Sequence, residues 1–435
     1  MHVHIRRFVA GTVLAAIIAS LTLFVSPGPA RAADGIVLPV RSHWQTLADS
    51  HHVYISAPYD DVVVATDHDG RVLKTIEGLD GARGMTLSRD ESTLYVALPE
   101  ADAIAAVDTT TLTETRRFAT GADTEPENLA VAGGKLWFSY QANLFDAGIG
   151  SISVADADPV VDLGDEAVWY GKPQLAASPA FPDRLVAVGG ETVPGTRVYD
   201  VSSGTAQETA HSDAIGGVSD LAMTPDGQTI VTAYGSDYFH SQWRISDLTE
   251  TGRYETGPYP NSVAIAPNGM VAAGIVAGGD WDVYLYQPGS TTAIRKIALS
   301  WPSMDLLARG VAWAPDGNRL FAARLPYLGE VTLDIVTDVH KASSDITLQA
   351  PATSRFGKSL TVHGTLSSLV PHPANARVTV TRDGVPIADV PVAAGGTFTF
   401  RDSPPLPGWY RYTVSYAGDT DHVAGTADVI VDFVN

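Results

Sequence analysis

DLAMTPDGQTIVTAYG, at residues 220–235, is the stretch of sequence that decides the fold. Its apolar residues fall into two short runs, which are separated by the turn Pro225-Asp226-Gly227. Short apolar runs on both sides of a Pro-Asp-Gly turn are typical of two neighbouring antiparallel strands. This segment therefore predicts a hairpin.

The same phrase recurs along most of the chain, at intervals of 40 to 48 residues. The copies begin at Gln45 (a degenerate copy), Met85, Leu129, Leu175, Leu221, Val263 and Val311. Each copy continues with a second pair of strands, so one repeat predicts a four-stranded sheet. Such a sheet has two apolar faces, and a ring of sheets packed face to face buries both of them. The sequence predicts an all-β chain with a seven-bladed β-propeller at residues 33–338.

The last copy contains only three strand patterns, in 311–314, 320–324 and 330–338. The apolar segment 36–40 lies outside every repeat at the other end of this region. We expect it to supply the missing outer strand, since pairing the two ends of the chain closes the ring and removes an exposed edge.

The repeats resemble the YVTN-type propeller family, whose members are related to WD-repeat proteins. The resemblance is carried by Leu94-Tyr95-Val96-Ala97, by the turns Pro225-Asp226-Gly227 and Pro315-Asp316-Gly317, and by 256–261. It covers about residues 36–338 and implies the fold. It implies little about function, because propellers include binding proteins, lyases, lactonases and quinone-dependent dehydrogenases.

A different periodicity begins after Asp338. A polar linker at 339–345 is followed by seven short strand patterns in 346–435, with turns at Asp383-Gly384 and Gly395-Gly396. This spacing is typical of a β-sandwich. The segment resembles the Ig-like repeats of extracellular actinobacterial proteins, in phrases such as ITLQAPATSRFGKSLTVHGTL at 346–366. That resemblance implies an Ig-like domain that acts as a spacer or adhesive unit.

Residues 1–32 have the three parts of a secretory signal peptide. Arg6 and Arg7 precede an apolar stretch that extends to Val25, and Ala30-Arg31-Ala32 offers a cleavage site. An uncleaved anchor and a twin-arginine signal are the alternatives, and the Pro-Gly-Pro break at 27–29 favours cleavage after Ala32. We expect a secreted or extracellular protein, with possible attachment to the cell surface.

Composition limits the classes of partner. The net charge is −21, and loss of Arg6, Arg7 and Arg31 with the signal would make it −24. An acidic surface repels phosphate backbones and anionic lipids, which argues against nucleic acid and against membrane insertion after signal removal. The chain has no cysteine, so disulfides, thiolate catalysis and Cys-ligated metals are excluded. We expect a monomer that carries no cofactor and no metal.

The register of the repeats predicts which residues surround the central channel. The positions that enter the innermost strands are Arg83, Asn128, Lys172, Asp220, Asn261 and Arg309, with Glu127 and Ser262 beside them. Polar groups that converge on an axis can bind a small polar ligand or a peptide. The alternative is that they solvate the channel and cap strand ends.

Other candidate sites have weaker signals. Asp67-His68-Asp69-Gly70 resembles part of a calcium loop, but it lacks the later oxygen ligands and is placed where a hairpin turn is expected. His51 and His52 point to opposite faces of a strand, so they cannot chelate one metal together. Packing between sheets is the commoner role of aromatic residues in such a fold, and stacking on sugars is the alternative. The sugar-stacking candidates are Trp137, Trp169, Tyr170, Tyr238, Trp243, Trp281 and Trp301.

Two functions remain open at this stage. In the first, the chain is a non-catalytic binding or adhesion protein whose propeller face recognises a peptide, a glycan or a cell-wall component, with the Ig-like domain as spacer. In the second, it is a lactonase- or lyase-like enzyme that acts in the channel, which requires several acids or histidines around one point. No catalytic constellation is visible in the sequence, which favours binding.

Overall fold

The computed structural model describes residues 22–25, 35–143, 146–164, 169, 171–189, 195–276, 281–299, 304–326 and 329–435. Apart from 22–25, the predicted signal peptide lies outside these residues. The described part divides into two compact units. The larger unit contains 35–343 and 419–423, and the smaller one contains 22–25, 344–418 and 424–435.

Almost all regular structure in the described residues is β-strand; one 3₁₀ turn lies at Pro99–Ala101. In chain order the strands are β1 (Thr22–Val25), β2 (Ile36–Val37), β3 (Gln45–Ala48), β4 (His52–Ala57), β5 (Val62–Asp67), β6 (Val72–Glu77), β7 (Met85–Leu87), β8 (Thr93–Leu98), β9 (Ala103–Asp108), β10 (Thr113–Ala119), β11 (Leu129–Ala132), β12 (Lys135–Asn143), β13 (Asp146–Ile152), β14 (Val161–Asp162), β15 (Gln174–Ser178), β16 (Phe181–Val188), β17 (Thr196–Asp200), β18 (Gln207–Ser212), β19 (Asp220–Met223), β20 (Thr229–Ala233), β21 (Phe239–Arg244), β22 (Glu250–Glu255), β23 (Pro260–Ile265), β24 (Val271–Ile275), β25 (Val283–Tyr286), β26 (Ala293–Ile297), β27 (Met304–Trp313), β28 (Leu320–Pro326), β29 (Thr332–Val336), β30 (Asp345–Pro351), β31 (Thr353–Arg355), β32 (Leu360–Ser367), β33 (Arg377–Arg382), β34 (Val385–Pro391), β35 (Thr397–Asp402), β36 (Gly408–Tyr416) and β37 (Gly425–Val434).

The larger unit repeats one sheet design. Six four-stranded antiparallel sheets are formed by consecutive strands, from β3–β6 to β23–β26. One further sheet has the order β2-β29-β28-β27. In it, Ile36 is paired with Leu333 and Val37 with Thr332. The prediction that segment 36–40 supplies the missing outer strand is confirmed.

Neighbouring sheets share their cores because successive residues of a strand point to opposite faces. In β4, Val53 and Ile55 pack in a cluster with Phe321 of β28. Tyr54, between them, packs in another cluster with Leu94 of β8. Each fully buried side chain of this size contributes roughly 1.5–3 kcal/mol. The unit is therefore held together by packing between sheets.

The smaller unit has two sheets around a single core. Their strand orders are β1-β30-β32-β35 and β31-β37-β36-β33-β34. Inward residues alternate with outward ones, so Val362 of β32 and Val429 of β37 are buried in the same cluster. The sequence patterns did not reveal β31, which has three residues and pairs in parallel with β37. A parallel edge strand this short carries no alternation of its own.

Val339 and Ala342, in the segment after the last repeat, are buried.

No helix in the part of the chain that the structure describes is both long and apolar enough to cross a bilayer.

Candidate functional site

The starts of the innermost strands lie side by side around the larger unit. Hydrogen bonds connect equivalent positions of neighbouring sheets across nearly all the sheet junctions. These bonds run from Met85 N to Gln45 Oε1 (2.7 Å), Gly84 N to Glu127 O (3.0 Å), Asn128 Nδ2 to Pro173 O (3.0 Å), Gln174 Nε2 to Val218 O (2.8 Å), Val263 N to Asp220 Oδ2 (2.7 Å) and Val311 N to Ser262 Oγ (3.1 Å). β27 in turn contacts β3. The innermost strands therefore run in one direction, and we call the end at which they begin the entry face.

Three of the six predicted rim residues form hydrogen bonds to the next sheet. Asn128, Asp220 and Asn261 are all buried. Asn128 and Asp220 make the bonds given above, and Asn261 Nδ2 donates to Leu306 O at 2.6 Å. These side chains hold neighbouring sheets in register, which is the strand-capping alternative.

Asp220 is the most constrained of the three. Its carboxylate accepts hydrogen bonds from Val263 N (2.7 Å), Leu221 N (2.8 Å) and Ser262 Oγ (3.3 Å). Burial nevertheless raises its pKa to about 6, because desolvation outweighs these bonds and the nearby Arg309. Asp220 therefore changes charge in mildly acidic solution.

Of the other three predicted residues, Arg83 and Lys172 form a charged rim network with two glutamates. Arg83 forms an ion pair with Glu127. Lys172 Nζ lies 3.6 Å from Glu127 Oε2 and 3.0 Å from Glu125 Oε2. Glu127 is thus shared by two cations from different sheets, and most of the rim charge is neutralised internally.

Trp44 is a member of this network that sequence reasoning missed. The guanidinium carbons of Arg83 and Arg309 lie 4.7 Å and 5.0 Å from its ring centroid. An arginine over an indole face is attracted by the ring quadrupole. The only sequence signal is the position of Trp44 just before β3, which is equivalent to the position of Gly84 before β7.

Arg309 is held in an unusual backbone conformation. It lies in the irregular part of β27, where pairing with β28 shifts between Leu306 and Val311. Its φ is 55°, a left-handed value that non-glycine residues rarely adopt. A Cβ on the next residue, Gly310, would lie 2.6 Å from Leu307 O and 2.9 Å from Ala323 O. The bulge therefore fits only glycine at 310, and it turns the side chain of Arg309 out of the regular pleat.

The side chain of Arg309 crosses the ring. Its Nη1 donates to Asn128 Oδ1 at 2.8 Å, although 181 residues separate the two in sequence. Burial lowers the pKa of this guanidinium, partly offset by the carboxylates of Asp220 and Glu127. The sequence placed Arg309 at the rim, and the contact with Asn128 became visible only in the structure.

A cavity of about 380 Å³ lies among the innermost strands. Its lining includes Arg309 and Asp220 on the entry-face side, Gln45 and Val263 along the wall, and Glu91 after β7. The channel expected from the repeats is thus lined by polar groups at its end and by apolar strand residues along its length.

Solved structures resemble the larger unit. The WD40 repeats of RRP9 match with a TM-score of 0.56 and 16% identity, over 72% of this chain and 99% of that one. The β-propeller domain of Cps50 (Swd1) from Myceliophteria thermophila matches with 0.55 and 14%, over 70% and 100%. A Kuenenia stuttgartiensis hydrazine synthase chain matches with 0.53 and 15%, over 69% and 97%. The larger unit has a WD40-type β-propeller fold.

At these identities the likeness concerns the fold alone. No family model matches the chain, and no curated protein does. The propeller's function must therefore be argued from its own surface.

The calcium-loop alternative at 67–70 is a hairpin turn of the propeller. Gly70, with φ 80°, donates its N–H to Asp67 O at 2.9 Å. The Asp67 carboxylate accepts the N–H groups of Asp69 and Arg71, so its oxygens support the turn between β5 and β6. Within the described ranges, no three His, Cys, Asp or Glu residues come together as a metal group. Among the sugar-stacking candidates, Trp137 and Trp169 are buried core residues, and Tyr238 is 63% exposed. Tyr170 and Trp301 lie outside the described residues.

The entry face of the propeller carries the exposed tyrosines. Loops that precede a first strand or connect a second strand to a third emerge at the same end of an antiparallel sheet. Tyr59, Tyr234, Tyr238 and Tyr259 lie in such loops and are 90%, 38%, 63% and 60% exposed. Phe181 and Val160 occupy turns at the opposite end. Large aromatic groups left in water on one face are typical of an interaction surface.

Tyr259 has two features that set it apart. Its φ is 61°, a strained conformation for a bulky residue. Its carbonyl accepts Val276 N at 3.0 Å, and two residues earlier Gly257 N donates to Tyr238 O at 3.0 Å. A backbone hydrogen bond therefore joins the loop of Tyr238 to the segment of Tyr259, so the two exposed tyrosines lie on neighbouring segments of the chain.

His240, on β21 behind this surface, is fully buried. Its Nδ1 lies 3.2 Å from Thr256 Oγ1 and its Nε2 3.2 Å from Ser262 O. Desolvation lowers its pKa to about 4. Between pH 4 and 6.5 the unfolded chain binds a proton here that the folded chain does not, so stability falls as the pH falls.

We expect the His240→Gln variant to lose this dependence. Between pH 7.5 and 5 the wild-type free energy of unfolding should fall by about 2 kcal/mol more than that of the variant. Urea unfolding at both pH values measures the difference. His211→Gln, at an exposed histidine, is the control and should follow the wild type. Parallel pH curves for wild type and His240→Gln would show that folding does not shift the pKa of His240.

Proposed function

We propose that this chain is a secreted, non-catalytic binding protein whose entry face binds a protein partner. In this proposal residues 1–32 are a cleaved signal peptide and residues 33–338 form a seven-bladed propeller. Residues 339–345 are a linker, and residues 346–435 form an Ig-like spacer. The described residues of the larger unit form seven four-stranded sheets, which supports the blade number. The contact of β27 with β3 supports a closed ring.

The observation that carries the proposal is the gathering of exposed tyrosines on the entry face. Tyrosine contributes a large, rigid contact area with little loss of side-chain entropy, and it is enriched among residues that dominate binding energy. The rim network lies among these loops and offers charged groups of both signs. WD40 propellers of this fold are commonly scaffolds for protein partners, which supports a protein over a small molecule.

The test uses a random dodecapeptide display library panned against the mature protein. Enriched peptides should bind the wild type and lose at least tenfold in affinity for Tyr238→Ala/Tyr259→Ala, because aromatic anchors contribute about 2 kcal/mol or more. Both side chains are exposed, so their removal should leave the unfolding temperature unchanged.

The matched control is Val160→Ala/Phe181→Ala, which removes apolar surface at the opposite end. Its affinity for the enriched peptides should equal that of the wild type. Equal loss in both double variants would contradict the entry face as the binding surface. A glycan array probed in parallel tests the class of the partner. If no peptide is enriched and glycans bind in a way that depends on the same tyrosines, the partner is a glycan and not a protein.

A further inference from the structure

The mouth of the propeller channel contains hydrogen-bond donors that have no acceptor among the described residues. Arg309 forms no ion pair with any carboxylate in the described ranges; its one side-chain hydrogen bond there goes to a neutral oxygen, Asn128 Oδ1. A guanidinium has five N–H donors. Arg309 therefore retains donors, and none of these carboxylates is in direct contact with its charge.

The nearest carboxylates are already engaged. Glu127 is shared between Arg83 and Lys172, and Asp220 accepts three hydrogen bonds from its own and the next sheet. Neither lies within ion-pair distance of Arg309, although both influence its pKa from farther away. The protein thus surrounds Arg309 with acceptors that are committed elsewhere.

Two neighbouring donors also have no acceptor among the residues that the structure describes. These are Trp44 Nε1 and Arg83 Nε, both of which are buried atoms. A buried donor without an acceptor is unfavourable, because it has lost its hydrogen bond to water. Arg83 and Arg309 both lie over the Trp44 ring, so these donors are close to Arg309.

The backbone at this point is strained as well. A left-handed conformation is unfavourable for an arginine, and such strain persists where the surrounding structure maintains it. Here it places the guanidinium over Trp44 at the end of a cavity of about 380 Å³. Strain, unpaired charge and unsatisfied donors therefore coincide at one opening.

We propose that the channel mouth at Arg309, Arg83 and Trp44 binds a carboxylate of a polypeptide. The carboxylate comes from an acidic side chain or from a chain terminus. Guanidinium groups match the planar geometry of a carboxylate and bind it through paired N–H···O bonds. This inference rests on the proposed function, since it names the group by which a protein partner is anchored beside the tyrosines.

The test uses four short peptides. Acetyl-GGAA with a free C-terminus and acetyl-GGDG-amide each carry one carboxylate, whereas acetyl-GGAA-amide and acetyl-GGNG-amide are their neutral counterparts. Binding is followed by the fluorine resonance of Trp44 in fluorotryptophan-labelled protein, assigned with Trp44→Phe. We expect at least one acidic peptide to shift this resonance saturably and both neutral peptides to leave it unchanged. The peptide that binds more tightly identifies the source of the carboxylate.

Arg309→Gln should weaken the acidic peptide at least tenfold, and Arg309→Lys should weaken it less. Arg319→Gln is the control, because it removes an arginine that pairs with Asp69 at the opposite end of the sheets. Thermal unfolding of each variant shows that it is folded. Equal shifts by acidic and neutral peptides, or undiminished binding to Arg309→Gln, would overturn the inference.

The tyrosine variants separate this inference from the proposed function. Tyr238→Ala/Tyr259→Ala should still bind the acidic tetrapeptide while it loses the library peptides. Library binding that requires the tyrosines, without any carboxylate response, defeats the carboxylate site alone. A carboxylate response without tyrosine-dependent library binding defeats the proposed protein-binding face alone.

Discussion

Replacing Leu38 and Val40 together by alanine should lower the free energy of unfolding by about 4 kcal/mol or more. Both side chains are buried, at 0% and 1% exposure. They pack against Val331 and Leu333 in the core between the last sheet and the first. Leu38 N donates to Val331 O and Val331 N to Val40 O, each at 2.8 Å. Removing both side chains leaves a cavity where the two ends of the propeller chain meet.

Chemical denaturation of the full mature chain measures this loss. The control is Val37→Ala in the same segment, where the side chain is 60% exposed and the expected change is within about 0.5 kcal/mol. A loss of unfolding free energy in the double variant no greater than that in Val37→Ala would contradict this prediction. It would show that the N-terminal segment does not contribute to the stability of the propeller. The m-value, which is the dependence of the free energy of unfolding on denaturant concentration, should be the same in all variants. The reason is that unfolding exposes nearly the same surface area in each of them.

The second large effect is expected at Arg324, where methionine should cost about 3–5 kcal/mol. Arg324 and Asp334 form an ion pair between β28 and β29, and both are buried. Glycine at 35 permits the N-terminal segment to cover the pair, because a Cβ there would lie 3.0 Å from Arg324 Nη2 and 3.1 Å from Asp334 Oδ1. Replacing Arg324 removes the positive charge that pairs with the buried carboxylate of Asp334.

A double-mutant cycle checks this explanation. Asp334→Asn in the Arg324→Met background removes the buried negative charge. It should restore a large part of the lost free energy of unfolding. Arg244→Met is the surface control, because Arg244 and Asp247 are both about half exposed and such pairs contribute about 1 kcal/mol or less. Additive losses in the cycle would show that Arg324 stabilises by packing alone.

The spacing of the repeats and the positions of most strands could be predicted from the sequence. The Pro-Asp-Gly turns, the first strands near Met85, Leu221 and Val263, and the closing segment 36–40 all follow from local patterns of apolar and turn residues. Those patterns also placed Arg83, Lys172 and Arg309 at the entry to innermost strands. Such features depend on neighbours in sequence, so they can be read without coordinates.

What the polar residues do was decided by the tertiary structure. Asn128 and Arg309 are 181 residues apart in sequence and share a hydrogen bond. Trp44 belongs to no strand motif, yet two arginines stack on it. The bulge at Arg309 arises from close backbone packing around Gly310. The sequence alone determined that a four-stranded sheet repeats along the chain and that segment 36–40 completes the last sheet. These features follow from hydrophobic periodicity, which is a local property of the sequence. Only the fold decided which charges are neutralised and which donors stay unpaired, because those outcomes depend on how side chains from distant sheets meet around one opening.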